Sequence, residues 1–283
     1  MIRTRHVTRG VELFSARTPT LPPATHTNSY ALGDRDVLLV EPATPYDDER
    51  RAWLEWARGI ASSGRRLVGI FITHHHRDHA GGAEFFSEQL GLPLFAHEDT
   101  AKRLSGMNIT TIDERRVFDL GGPIPARWRV LHTPGHAPGH LCLHDEDAGT
   151  VIVGDMVASE GTILIEPNDG DMLVYLQQLE RLANLSAHVA LPAHGKPIDT
   201  PTELFRHYIK HRLAREEKIL SAVAQASEGA ATIEKLVPVA YADTPPMLWP
   251  LAAMSLEAHL VKLQREGRIE KQTTGNYRCT MAS

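Results

Sequence analysis

The sequence predicts an α/β protein, with sheets covered by helices, that ends in a small helical domain. Three observations carry that expectation. Short apolar runs alternate with amphipathic helical segments between Asn28 and Leu191. From about Thr202 the pattern changes to long, charged helical stretches. At 283 residues the chain is long for a single domain, so we place a large catalytic domain at 1–203 and a smaller one at 204–283.

In chain order, residues 28–32 and 36–40 alternate around Gly33-Asp34-Arg35, the pattern of a β-hairpin. Residues 45–62 have helical spacing, with Trp53, Trp56 and Ile60 on one core-facing stripe. The apolar run 66–73 reads as a buried strand and ends directly at His74. Gly81-Gly82 precedes a helix through Leu90, a strand over 93–96 and a helical stretch through Leu104. Further strands are predicted over 127–132, 140–144, 151–154 and 189–191, with an amphipathic helix over 171–185. Helices over 205–225, 233–240 and 253–266, then strands over 268–271 and 277–279 around Thr274-Gly275-Asn276, suggest a winged-helix-like end.

Composition narrows the function classes. A hydrophobic share of 42% and a charged share of 23% are ordinary, so neither disorder nor membrane burial is indicated. No apolar run approaches the roughly 18 residues a transmembrane helix needs. The opening Met1-Ile2-Arg3-Thr4-Arg5-His6 has no apolar stretch behind it, so the expectation is a cytoplasmic protein without a secretory signal. Cys142 and Cys279 are too far apart for a Cys-x-x-Cys site, so any metal must be held by His and carboxylates. The net charge of −5 argues against a broad polyanion-binding surface. The 16 histidines stand out, because many fall in short motifs beside Asp and Gly.

The richest segment is His74-His75-His76-Arg77-Asp78-His79. Side chains at i and i+2 of an extended chain share a side, so His74 and His76 converge while His75 points away. Asp78 and His79, on the following turn, can face a second ion. The rival register, His75 with His79 on a helix, lacks the Glu that a zincin needs after its first His. Thr133-Pro134-Gly135-His136, Val153-Gly154-Asp155 and Pro192-Ala193-His194-Gly195 each put one ligand-type residue at or beyond a strand end beside glycine.

In this order and spacing the four motifs resemble the metallo-β-lactamase superfamily. The resemblance implies a four-layer αβ/βα sandwich with a dinuclear site at one edge. It implies one zinc on His74, His76 and His136, a second on Asp78, His79 and His194, and Asp155 bridging both. Ser159-Glu160-Gly161-Thr162, the helix from Asp171, and Tyr208-Ile209-Lys210-His211-Arg212 with Arg215-Glu216 resemble the lactamase-β-2-like branch. That branch ends in a winged-helix-like domain, resembles endoribonucleases in some members, and is related to thioesterases such as glyoxalase II.

Imidazole and carboxylate donors suit two Zn²⁺ ions, with iron or manganese as other occupants. A zinc-bound water has a pKa near about 7, so hydroxide is available as a nucleophile at neutral pH. Asp78 is the expected catalytic residue, orienting that hydroxide as well as binding metal. His140 could reach substrate or make a structural hydrogen bond, and Thr162 and Lys196 are candidate substrate contacts by adjacency. Asp155 stands where cysteine-containing penicillin hydrolases carry their cysteine, which disfavours that chemistry.

Three classes remain: hydrolysis of a small-molecule thioester or similar activated ester, single-strand-specific RNA cleavage, and a non-catalytic binding module. The acidic catalytic portion favours the ester, whereas Lys196, Arg206, Lys210 and Arg212 and the branch resemblance point toward RNA. The C-terminal segment, with only a slight basic excess, is expected to cap the cleft or form a homo-oligomer contact and not to bind duplex DNA.

Overall fold

A computed structural model describes residues 4–227 and 229–280. Met1, Ile2 and Arg3 of the opening segment lie outside the described residues. The chain divides into two compact units. The first comprises Met1–Thr133, Ala137–Ile163 and Leu185–Thr202, and the second Pro134–His136, Leu164–Asn184 and Glu203–Ser283.

The first unit is built on two sheets. Strands β1 (Thr4–Thr8), β2 (Val11–Arg17), β3 (His26–Leu32), β4 (Asp36–Val40), β5 (Arg66–Phe71), β6 (Leu94–Ala96) and β7 (Ile109–Thr111) form one, in that order. It is antiparallel from β1 to β4 and parallel from β4 to β7. Helices α1 (Asp47–Ser62), α2 (Arg77–Ala80), α3 (Ala83–Leu90) and α4 (Glu98–Arg103) make its crossovers. The second sheet uses β8 (Val117–Leu120), β9 (Ala126–His132), β10 (Leu141–Asp145), β11 (Thr150–Gly154) and β12 (Val189–Pro192), with β11 and β12 parallel.

The middle of the first sheet is buried on both faces, which explains why β5 reads as a continuous apolar run and why all five residues of β4, expected to alternate, are buried. Leu32, Leu38, Val40 and Phe71 meet Trp128, Val130, Leu141, Ile152 and Leu191 between the sheets. The alternate residues Ala31, Val37, Leu39 and Ile70 face a second core with Trp53, Ile60 and Phe86. Trp53 stacks on Phe86 at 3.9 Å and donates its indole N–H to Ser29 Oγ at 2.8 Å, so its one polar atom is satisfied. Burial on this scale contributes about 3–5 kcal/mol by truncation to alanine.

The sheets are tied at the carboxyl ends of the parallel strands. Leu141 N donates to Thr73 O at 2.9 Å, and Asn28 N to Ala193 O at 2.8 Å. Strand ends β4, β5, β11 and β12 therefore come to one edge, where irregular backbone carries the ligand-type residues.

The second unit holds α5 (Met172–Ala183), α6 (Pro201–Gln225), α7 (Ile233–Ala240), α8 (Trp249–Arg265) and the hairpin β13 (Ile269–Lys271) with β14 (Tyr277–Cys279). Asp171 caps α5 by accepting from Leu173 N at 3.0 Å and Val174 N at 3.2 Å, and it also meets Arg265 of α8. Ile219, Val223, Leu236, Leu256, Leu260, Ile269 and Tyr277 form its core. Beside that core Glu216 is buried against Lys262 Nζ at 2.8 Å, Arg268 at 3.1 Å and His259 Nδ1 at 3.4 Å. Among the described residues no helix is long and apolar enough to cross a membrane.

Candidate metal centre

The His-rich segment begins where β5 gives out. Past Phe71 the chain leaves the strand with bends at Thr73 and His75, and His76 is the N-cap of α2 with φ −60° and ψ 147°. That turn places His79 one helical turn on, its N–H bonded to His76 O at 2.9 Å. His74 Nε2 and His76 Nδ1 stand 3.0 Å apart, the convergence expected from the i, i+2 spacing. His75 packs as a ring neighbour of His76 at 4.7 Å.

Hydrogen bonding at the far side of each ring sets which nitrogen faces the centre. The Thr73 hydroxyl donates to Glu41, so it accepts from His74 Nδ1–H at 2.9 Å, which makes Nε2 of His74 the lone-pair nitrogen that faces His76. His79 Nδ1 donates to Glu41 Oε1 at 3.0 Å, and His194 Nδ1 to His26 O at 3.0 Å, with the same consequence for their Nε2 atoms. His136 lies in the second unit, where its Nδ1 donates to Leu164 O at 2.9 Å and Nε2 is again the remaining nitrogen. Gly135 before it is obligatory: at φ +129° a Cβ would sit 2.4 Å from Tyr175 Cα.

Asp78, His79 and His194 form a compact donor group, with Asp155 beside it. His194 Nε2 is 3.5 Å from Asp78 Oδ2 and 3.4 Å from Asp155 Oδ1, and Thr20 Oγ1 lies 3.5 Å from the same nitrogen. His79 Nε2 is 3.7 Å from Asp78 Oδ2 and 3.5 Å from Asp155 Oδ2, and is a buried nitrogen that makes no hydrogen bond. Two ligands of one tetrahedral zinc, each at 2.0–2.1 Å, stand about 3.3 Å apart. The donor spacing and the buried, unsatisfied His79 nitrogen both fit a cation here.

The electrostatics agree with that fit. Burial alone would lower the pKa of His79, but Asp155, Asp78 and Glu41 outweigh it and hold the imidazole well above its ordinary value. Burial would raise Asp155, yet His194 and His79 pull it well below the ordinary carboxylate range. The pKa of His194 is likewise raised against its burial, chiefly by Asp155. The carboxylates thus call for positive charge at this point, which a metal ion bound by the imidazoles would supply.

Asp155 is aimed by the chain turn at Gly154, which has φ +48° and no room for a side chain, because a Cβ would lie 2.5 Å from His140 Nε2. That same Nε2 accepts from Asp155 N at 3.1 Å, so His140 carries its proton on Nδ1 and donates to Thr133 Oγ1 at 2.8 Å. Fully buried, His140 makes at both nitrogens the structural hydrogen bonds that were the alternative to a substrate contact. Thr162 and Lys196 are both exposed, and Lys196 N donates to Ser159 Oγ at 2.5 Å.

Glu41 is the functional residue that sequence reasoning missed. It is fully buried at the end of β4, with φ +58°, a conformation that costs a non-glycine residue about 1–3 kcal/mol. Its N–H bonds Phe71 O at 3.0 Å, its carbonyl accepts from Ser29 Oγ at 2.5 Å, and its carboxylate holds Thr73 and His79. An acidic residue directly after an apolar strand was the available signal, since a buried carboxylate needs partners.

Residues 22–194 match the metallo-beta-lactamase superfamily. The chain belongs to that superfamily. Residues 232–276 match the beta-lactamase associated winged helix domain, so this metallo-β-lactamase sandwich carries a winged helix at its C-terminal end. Relatives include a beta-lactamase-like protein 2 homolog of Drosophila melanogaster, 30% identical over 71% of this chain and 69% of its own length. Another is an atrochrysone carboxyl ACP thioesterase of Aspergillus chevalieri, 28% identical over 77% of this chain and 69% of its own. A metallo-beta-lactamase family protein from Thermus thermophilus superposes with a TM-score of 0.78 at 25% identity, covering 97% of this chain and 100% of that one. The superfamily member described here is thus a hydrolase with His and Asp clusters suited to metal.

Proposed function

We propose that the chain is a dinuclear zinc hydrolase acting on a small-molecule thioester or similar activated ester. The grouping of Asp78, His79 and His194 with Asp155 is the observation that carries the metal part. In this reading His74, His76 and His136 would hold one ion and Asp78, His79 and His194 the other, with Asp155 as a ligand shared by both. Iron or manganese would satisfy the same donor types. When bound, the ions supply an activated water nucleophile at neutral pH and polarise the scissile carbonyl.

The chain's own residues do the rest. Asp78, partly exposed at 15%, accepts a hydrogen bond from the attacking water and orients it. Glu41 and His26 O fix the rings of His79 and His194, and His140 fixes the backbone of Asp155. Thr162 and Lys196 contact the acyl or leaving group. We place the reaction in the cytoplasm, where Cys142 and Cys279, neither of them in a disulfide, stay reduced.

The thioesterase among the relatives supports an ester over RNA. The surroundings of the basic residues that would favour RNA support it too: Arg212 is buried, and Arg206 and Lys210 share their surface with Glu180 and Glu217. The test is a side-by-side assay of zinc-loaded protein on acyl thioesters and labelled single-stranded RNA, with His76→Ala as control. Thioester turnover lost in His76→Ala is the expected result. RNA cleavage lost in that variant, with no thioester turnover above it, would overturn the ester reading.

A further inference from the structure

Helix α6 carries a surface that its own unit leaves uncovered. Arg206, Ile209, Lys210, Leu213 and Glu217 recur at intervals of three and four, so they form one stripe. With Glu180 of α5 they line an open groove of about 510 Å³. Leu213 sits in its middle at 43% exposure, and Ile209 is half-buried beside it. The neighbouring face of the same helix is ordinary core, with Ile219, Ala222 and Val223 buried.

The charges on this stripe are not mixed at random. Lys210 and Arg206 lie on the N-terminal side of Leu213, and Glu217 lies one turn beyond it on the C-terminal side. Lys210 is three residues before Leu213 and Glu217 four after, so a twofold axis through Leu213 with antiparallel helices sets each Lys210 against the other helix's Glu217. The stripe is therefore complementary to itself in both charge and apolar centre, the property an isologous contact requires.

We propose that this face of α6 is a homodimer interface, its occupant a second copy of this chain. Leu213 packs on the partner subunit's Leu213, with Ile209 and Ala214 flanking. Glu217 Oε1 already accepts from Arg268 of its own subunit at 2.9 Å, so Lys210 pairs with the other carboxylate oxygen of the partner subunit's Glu217, once on each side of the axis. Glu180 on the groove wall receives the partner subunit's Arg206 and completes the rim.

Sedimentation equilibrium on the full-length, metal-loaded protein tests this, using Lys210→Glu, Glu217→Lys and the double exchange. The expected result is a dimer for the unmutated chain and association weakened about tenfold or more in each single variant, because each places like charges opposite one another twice. The double exchange should restore the dimer. Circular dichroism melts on the same samples guard against unfolding, and both substituted side chains are exposed. A monomeric unmutated chain would overturn the proposal, as would a dimer indifferent to both single exchanges, or single defects that the double exchange does not rescue.

Discussion

At His74, His79 and His194 the Nδ1–H is committed to an oxygen, so each ring presents the same atom, Nε2, as a donor. This uniformity comes from residues outside the seven proposed ligands, and Glu41 has the largest share because it holds His79 directly and His74 through Thr73. Replacing Glu41 with Gln should lower metal affinity about 10–100-fold, read by competition with a chromophoric chelator. Unchanged affinity would reduce Glu41 to a packing residue. Asp78→Ala should cut turnover at least about a hundredfold if, as proposed above, Asp78 orients the attacking water. Its metal-free form should melt within about 0.5 kcal/mol of the unmutated chain, because Asp78 lies in the short helix α2 outside both cores of the first unit. Retained turnover would remove Asp78 from the mechanism. The ligand-type residues were legible in the sequence because His, Asp and Gly cluster there. Glu41 was not, because its partners are distant in sequence and meet it only through the parallel pairing of β4 and β5.

At the scale of elements, periodicity worked where a segment buries one stripe or both faces. The hairpin β3–β4, helix α1 and strand β5 follow the expected spans closely. Strands β1, β2, β7 and β8 went unpredicted. β1 is a largely exposed strand and β7 only three residues long, so neither carries an apolar alternation. Also hidden was the grouping of Leu164–Asn184 and Pro134–His136 with the C-terminal helices, a long-range packing choice that local pattern does not encode. In that second unit the Glu216 cluster gives an acid signature. Burial alone would raise Glu216, but His259 and Lys262 hold its pKa below the ordinary 4.5. Burial in turn depresses His259 below 6.5. Both groups bind fewer protons folded than unfolded, so stability falls as pH drops, from 6.5 downward through His259 and from 4.5 downward through Glu216. Glu216→Gln should cost about 1–3 kcal/mol at neutral pH, because buried Lys262 then keeps only Glu266 as its carboxylate partner. The gap between variant and unmutated melts should close as pH falls below 4.5, and a gap independent of pH would refute the assignment.

For the whole molecule, length, average composition and two distant cysteines restricted any metal to His and carboxylate donors. The fold and superfamily followed from motif order, and the comparisons agree with both. Substrate was less legible, because one superfamily fold serves many reactions and net charge acts only at long range. The central claim is that this donor set holds two ions. Elemental analysis of protein purified without added metal, before and after zinc loading and beside Asp155→Ala, tests it most directly. The account expects about two equivalents per chain in the unmutated protein and a clear loss in the variant, since the bridging carboxylate serves both ions. One equivalent or fewer, unresponsive to added zinc, would contradict it.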